Sequence, residues 1–442
     1  MGSDYQAAQP RCLDRSRPLG SGLDPVMRLV VHDFPGHGFP LSLSRRLAQL
    51  GHEVLHLYSG DYPSPRAFAP SLGESGLTLD AVAERGLYAS PNPLWRLWDD
   101  RRYAAALVRR VAAFQPEIIL GGNGPLAAQA RLLDYSRQQQ IPFVFWLQDI
   151  YGRAFGGIVR KRFGRLLGGP VGGFFSRWER QLWRQSQSII AISSDFALAL
   201  TAAGIAQERI AIIENWAVRE DFVAPAPEVT AAWVAKHGLG GRRLIVYAGT
   251  LGFKHNPRLL VRVAAALADY PSDPPTTGVT LVVASEGRGR SLLEAEKQRL
   301  GLDCLHLLDY LPQPEFSACL AAAEFCLVQL EADAGSYSVP SKILAYAAAG
   351  RSILAAIPAE NLAARLVVQN GLGEVVPPDQ DEEFCRRVFE WLDQPTLLAQ
   401  YSDNSRHYAN IAFDLPAISE RFLHRLSAAR PRAFSTFTKP IQ

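Results

Sequence analysis

Two loops rich in glycine, serine and lysine carry most of the chemistry that this sequence could perform. The first is Gly249-Thr250-Leu251-Gly252-Phe253-Lys254-His255-Asn256-Pro257, directly after the apolar run Leu244 to Ala248. Its glycines let the backbone approach a ligand, Lys254 offers a cation, and Asn256 or Pro257 opens a helix whose first amides face outward. That combination suits a diphosphate. Taken alone, the stretch reads equally well as an ordinary glycine turn with a solvated lysine. The second loop is Gly335-Ser336-Tyr337-Ser338-Val339-Pro340-Ser341-Lys342, ahead of a helical run through Ala349 that Gly350 closes. Pro340 stands near the first-turn position where proline is tolerated, so this is a second helix start with an anion-binding composition. Two such sites at the carboxyl edge of one inferred sheet are explained together by a nucleotide diphosphate and only separately by packing.

A smaller set lies in the first half. Trp146-Leu147-Gln148-Asp149 follows the apolar run Phe143 to Leu147, and Gly36-His37-Gly38 separates the first apolar run from the first helical pattern. Asp149 is a candidate polar group for a ligand, with a capping aspartate as its alternative. Gly36, His37 and Gly38 share that ambiguity. No GxSxG, HExxH or full Walker loop occurs, which argues against serine hydrolase, zincin and P-loop chemistry. Cys12, Cys304, Cys319, Cys326 and Cys385 are scattered with no CxxC spacing, so neither a zinc site nor a disulfide framework is expected and a reducing compartment fits.

The elements that must hold these loops follow from periodicity. Val26 to His32, a glycine turn, a helical pattern from Leu41 to Leu50 and the run Glu53 to Leu57 make a βαβ unit. Ile118 to Leu120, Phe143 to Leu147, Ser188 to Ile192 and Ile210 to Ile213 continue the rhythm as strands buried on both faces. Val223-Ala224-Pro225-Ala226-Pro227 reads as a linker. Beyond it, Leu244 to Ala248, Val279 to Ala284, Phe325 to Val328 and Ser352 to Ala356 form a second set, with a helix over Pro257 to Ala268. Two doubly wound α/β domains in tandem are predicted, with ligands in the cleft beyond the carboxyl ends of the strands. The expected division is a tail over 1–25, a first domain over 26–217 joined by a C-terminal helix at about 413–430, and a second domain over 218–412. At 442 residues, 48% apolar, 20% charged and a net charge of +3, the chain has room for two cores and shows no bias toward nucleic acid. Neither a signal peptide nor a spanning helix is expected.

In the order and spacing of Gly249 to Pro257, Ser285-Glu286-Gly287-Arg288-Gly289, Asp309-Tyr310-Leu311-Pro312, Val339-Pro340-Ser341-Lys342 to Gly350, and Gly371 to Pro378, the chain resembles the family 4 retaining glycosyltransferases of GT-B fold. The similarity is greatest to bacterial members that build exopolysaccharide and lipopolysaccharide units, and it spans nearly all of residues 27 to 425. The resemblance implies a donor site in which Lys254 pairs with the diphosphate of a UDP-linked sugar. Gly249, Thr250, Gly252, Asn256 and Gly287 would line it, the backbone at Tyr310 and Leu311 would hold the base, and Ser338 to Lys342 would face phosphate or sugar. It places Gln148, Asp149 and Gly36 to Gly38 on the acceptor side and makes Lys254 and Asp149 the catalytic candidates. No cofactor or metal is implied, since the leaving phosphate itself can take the acceptor's proton. The sequence departs from the family at two positions where glutamates are common, here Tyr337 and Ala345, which puts ribose recognition in doubt. Two alternatives stay open, a non-catalytic GT-B subunit and a GT-B sugar-nucleotide epimerase.

Between Tyr151 and Arg184 eight arginines and lysines stand against the single acid Glu179, interleaved with phenylalanine, leucine and tryptophan. Such a stretch suits an anionic membrane surface and a lipid-linked acceptor; a helix pair with solvated arginines is the alternative. Its glycines predict short helical pieces rather than one long helix. The location expected is cytoplasmic, at the cytoplasmic face of the inner membrane if that contact forms, with a glycan or lipid-linked sugar as acceptor.

Overall fold

In a computed structural model, residues 26–60, 74–83, 93–268, 278–332 and 340–430 are described here. Short runs of β-branched and aliphatic residues form seven parallel strands in the first half: β1 Arg28–His32, β2 Glu53–Ser59, β3 Leu77–Val82, β4 Ile118–Gly121, β5 Phe143–Leu147, β6 Ser188–Ala191 and β7 Ile210–Ile212. They lie in the order β3-β2-β1-β4-β5-β6-β7. The connecting helices are α1 Gly38–Gln49, α2 Pro93–Phe114, α3 Leu126–Gln138, α4 Tyr151–Gln185 and α5 Ser194–Ala202. After α6 Pro227–Lys236, a second parallel sheet contains β8 Arg243–Ala248, β9 Val279–Ala284, β10 Leu305–Leu308, β11 Ala323–Gln329, β12 Ser352–Ala356 and β13 Gly373–Val376, ordered β10-β9-β8-β11-β12-β13. Its helices are α7 Pro257–Ala268, α8 Arg288–Leu300, α9 Gln313–Ala322, α10 Lys342–Ala348, α11 Leu362–Gln369, α12 Asp381–Leu392 and α13 Pro395–Ala412, followed by α14 Leu415–Ala429. The second order is that of a dinucleotide-binding sheet, and both sheets reverse direction beside their first strand. Each therefore opens a crevice at its carboxyl edge, beyond β1 and β4 in one and β8 and β11 in the other.

Strands β4, β5, β6, β9 and β12 are buried at every position, which is why they read as continuous apolar runs. Of the four edge strands, β3 and β10 are half-exposed and not legible as apolar runs. Helix α1 begins at Gly38, a turn earlier than the apolar pattern predicted, because Pro40 fits a first helical turn. Pro227, expected to end the linker, opens α6.

The segment from Tyr151 to Gln185 is helical along its backbone. It cannot be one straight rod. The backbone amide of Tyr151 donates to Glu179 Oε1 at 2.9 Å and that of Gly152 to Oε2 at 3.1 Å, whereas 28 residues of straight helix would separate them by about 42 Å. The run doubles back, and the buried Glu179 carboxylate closes the start of its first arm. No helix among the described residues is long and apolar enough to cross a membrane.

The chain's end ties back to its beginning. Helix α13 packs on α10, α12 and β12, and α14 then crosses to pack on α1 and β5. There Phe422 is fully buried, edge-on to Trp146 at 4.8 Å and to Trp216 at 5.9 Å, while the two indoles stack 12° apart. Trp216 also donates from Nε1 to Ser42 Oγ at 3.1 Å.

Candidate functional site

The carboxyl end of β8 turns into the loop that the sequence singled out. Gly249 has φ of 118°, a backbone that suits glycine, and a side chain there would lie against the Lys342 Cε at 3.5 Å. The loop is stitched to the one after β9: Leu251 donates to the Glu286 carbonyl, and the Gly289 amide returns a bond to the Leu251 carbonyl at 2.8 Å. Gly287, at φ 109°, is what lets the strands' two loops lie this close. Within the first loop the Gly252 amide donates to His255 Nδ1 at 3.0 Å, Thr250 lends its carbonyl to the Tyr247 hydroxyl, and Asn256 adopts φ of 43° just before α7.

Lys342 opens α10 beside this loop. Its Nζ donates to the Tyr247 hydroxyl at 2.5 Å and stands 4.0 Å above the centroid of the same ring. Burial pushes its pKa down to about 7, and the charge of Lys254 pushes the same way. Tyr346, one turn further along α10, is fully buried and clamps Ala248, taking its amide proton at 2.8 Å and donating to its carbonyl at 3.1 Å. Helix α10 is thereby locked to the end of β8. Pro340 is buried and precedes the cap residue Ser341, so it lies just outside the helix rather than in its first turn. Ser338 and Val339 lie outside the described residues, as does Tyr337, while Ala345 is half-buried on α10.

Lys254 reaches solvent along its side chain, yet desolvation lowers its pKa below the ordinary lysine value, with the Asp149 charge acting the other way. Asp149 follows β5 in the first domain. Burial raises its pKa to about 6 against three opposing influences: the charges of Lys254 and His37, and a long hydrogen bond of 3.5 Å from Asn123 Nδ2. The Tyr151 hydroxyl holds Asn123 from its other side at 2.5 Å. The capping alternative for Asp149 loses its role here, because Glu179 takes the amides at the start of α4. Gln148 is buried beside it with Nε2 unpaired.

His37, between Gly36 and Gly38, faces the same space. Its ring Nδ1 lies 3.3 Å from the buried Asp33 carboxylate, which also accepts the His37 amide. Tyr310 stands 40% exposed near the Glu286 charge, with Leu311 nearly buried beneath it. The structure thus brings Lys254, Lys342, Asp149 and His37 into one electrostatic neighbourhood spanning both sheets. Tyr247, Tyr346 and Asp33 escaped the sequence reading. Only Asp33 carried a local signal, an acid directly after a strand and four residues from a histidine. Among the described residues no group of histidine, cysteine and carboxylate side chains could hold a metal ion.

Residues 39–216 match the model of the glycosyl transferase 4-like domain. The chain is 22% identical over 264 residues to the "Putative colanic acid biosynthesis glycosyl transferase WcaI" of Escherichia coli (strain K12), an alignment covering 59% of this chain and 62% of that protein. Among solved structures it is similar to Anabaena Alr3699/HepE in complex with UDP-glucose, with a TM-score of 0.66 and 17% identity over 91% of this chain and all of that one. It is also similar to WaaG, a glycosyltransferase involved in lipopolysaccharide biosynthesis, with a TM-score of 0.62 and 16% identity over 90% of this chain and 99% of that one. The likeness to the glycosyl transferase 4-like domain thus lies in residues 39–216, and the two Rossmann-like sheets with these structural neighbours give the chain a two-domain GT-B fold.

Proposed function

We propose that this protein transfers a sugar from a UDP-linked donor to a glycan or lipid-linked acceptor in bacterial surface polysaccharide synthesis, with retention at the anomeric carbon. The observation that carries the reading is the closeness of Lys254, within the β8 glycine loop, and Lys342, beside it. Among the described residues Lys342 has no carboxylate partner; it is held against a tyrosine face, where a diphosphate would supply the counter-charge. The likeness to a fold that binds UDP-glucose in HepE supports the choice of nucleotide. In the transfer, the bond from the anomeric carbon to the diphosphate oxygen breaks, the acceptor hydroxyl oxygen bonds to that carbon on the same face, and its proton passes to the departing phosphate. The protein's part is positioning and charge: Lys254 and Lys342 stabilise the leaving diphosphate, and Asp149 with His37 orients the acceptor. No metal is needed, because two lysines supply the cations. An attachment of the α4 face to an anionic membrane would bring a lipid-linked acceptor to Asp149. A second reading, a non-catalytic subunit, is favoured only by Ala345 and Tyr337 standing where carboxylates are common in the family.

Calorimetric titration with UDP, GDP and ADP tests the proposal, repeated on Lys254→Ala. UDP is expected to bind in preference to the others, with binding lost and transfer abolished in a variant that keeps its circular dichroism. Absence of binding by all three nucleotides would overturn the donor assignment in favour of the non-catalytic subunit.

A further inference from the structure

His37 is not held by the packing of its ring alone. Asp33, at the end of β1, has no solvent exposure, and its carboxylate is turned entirely onto His37: Oδ2 accepts the backbone amide at 2.5 Å and Oδ1 faces Nδ1 at 3.3 Å. A buried carboxylate costs several kcal/mol unless it is matched by charge and hydrogen bonds. Among the described residues the other titratable groups close to it are neutral or turned to other partners. His32, on β1, is fully buried and bonded to the Tyr103 hydroxyl of α2 at 3.0 Å, and His56, on β2, is fully buried and bonded to Ser44 of α1 at 2.8 Å. Burial holds both rings neutral, with pKa about 4. Arg45 of α1 faces His56 and Asp221, and the Asp221 carboxylate lies against Gly38. His37 is therefore the group to which Asp33 is matched, and the carboxylate favours its protonated form. Two-fifths of its side chain is exposed, and its second nitrogen is free of Asp33.

We propose that Asp33 is a positioning residue that holds the His37 ring by Nδ1 and turns Nε2–H into the cleft beside Asp149, so that the two side chains form a donor and acceptor pair for a hydroxyl of the acceptor sugar. The inference rests on the transferase reading for the identity of that ligand, not for the Asp33–His37 pairing. The charges agree with the geometry. His37 is raised above the ordinary histidine value although burial opposes this, with Asp33 supplying the larger favourable influence and Asp149 the smaller. Asp33 is lowered below the ordinary carboxylate value by His37, again against its burial. A neutral imidazole donating Nδ1–H to Asp33 would offer Nε2 as an acceptor beside a carboxylate that is also an acceptor; protonation, which Asp33 favours, offers an N–H to the ligand and favours the ionised form of Asp149.

The test is histidine titration by NMR on the whole chain, following the imidazole C2 protons, with His37→Gln to assign the signal. In Asp33→Asn the His37 midpoint is expected to fall by at least about one pH unit, roughly tenfold in its proton affinity. In His37→Gln, whose substituted side chain is partly exposed, the Asp149 carboxyl carbon is expected to titrate at higher pH than in the parent. An unchanged His37 midpoint in a folded Asp33→Asn protein overturns the Asp33–His37 pairing; if that variant does not fold, an unchanged Asp149 midpoint in His37→Gln overturns the proposal at its His37–Asp149 pair. Neither measurement requires turnover. With transfer established, Asp33→Asn should raise the KM for acceptor several-fold, leave UDP affinity unchanged, and move the alkaline limb of the rate profile to lower pH. A fall in kcat with the limb unmoved would leave Asp33 only a structural role and refute the proposal.

Discussion

The half-buried Lys342 would make binding of the proposed diphosphate a proton-linked event, and its size follows from the site. With its pKa near 7 in the donor-free protein, the ammonium is about nine-tenths protonated at pH 6, half at pH 7 and about one-tenth at pH 8. A diphosphate between Lys342 and Lys254 supplies the counter-charge that Tyr247 lacks and restores the lysine toward its ordinary value. Binding of UDP should then take up ~0.9 proton at pH 8, ~0.5 at pH 7 and ~0.1 at pH 6 from this residue, and affinity should fall toward tenfold per pH unit above neutrality, about 1.4 kcal/mol per unit. Calorimetry in phosphate and in Tris at pH 8 reads the uptake as the difference between the two apparent enthalpies. In Lys342→Met that difference should vanish. The sign for the donor-free protein is opposite. A lysine with a depressed folded pKa binds fewer protons folded than unfolded between pH 7 and its unfolded value of 10.5, so stability should rise across that window and the burden should be greatest below pH 7. Equal heats in both buffers at pH 8, with an affinity that does not change between pH 6 and 8, would refute the reasoning.

Two further variants probe the scaffold. Phe422→Ala removes a fully buried ring that lies edge-on to the stacked Trp146 and Trp216 and should cost ~3–5 kcal/mol in denaturant unfolding, because α14 then docks on a cavity; a loss below about 1 kcal/mol would show that α14 contributes little to the first domain. Gly287→Ala forces a φ of 109° on an L-residue and drives its methyl group to 2.9 Å from the Leu251 carbonyl, so UDP affinity should drop while the far-ultraviolet circular dichroism spectrum persists. Unaltered affinity would separate the β9 loop from the donor site.

Three strands buried on both faces are legible to the residue, Phe143 to Leu147, Val279 to Ala284 and Ser352 to Ala356, because no exposed position interrupts the apolar signal, and the equally buried β4 and β6 are legible to within one residue. Leu77 to Val82 was not, because an edge strand in which Thr78 and Asp80 face partly outward offers too little contrast with the neighbouring polar chain. The site divided in the same way. Lys254, Lys342 and Asp149 are visible from residue type and place after a strand, since the loop supplies the context. Tyr247 and Tyr346 are not, because what they do depends on partners 95 and 98 residues away. Nor could sequence spacing tell that the α4 segment turns back, although its glycines predicted interruption; the Glu179 contacts with Tyr151 and Gly152 decide that.

The division of charge between the two sheets gives the cleft its chemistry. The first domain brings two acids and a histidine, Asp33, Asp149 and His37; the second brings Lys254 and Lys342. Asp149 is held near pKa 6 because burial disfavours its charge more than Lys254 and His37 favour it, and Lys254 is lowered because burial outweighs Asp149. Each therefore lacks full compensation across the open cleft. A diphosphate that engages Lys254 weakens the hold of that cation on Asp149 and leaves His37 as its main partner. Donor binding would then raise the Asp149 pKa further, and His37 would be the remaining charge that favours its ionised, accepting form. The two halves are tied near the cleft: Arg365 of α11 pairs with Asp195 of α5, and Asp221, whose carbonyl is bonded by Gln313 and Ser317 of α9 at 2.6 Å, lies with its carboxylate against Gly38 of α1. Helix α14, edge-on to Trp146 through Phe422, fastens the end of the chain under the strand that leads to Asp149.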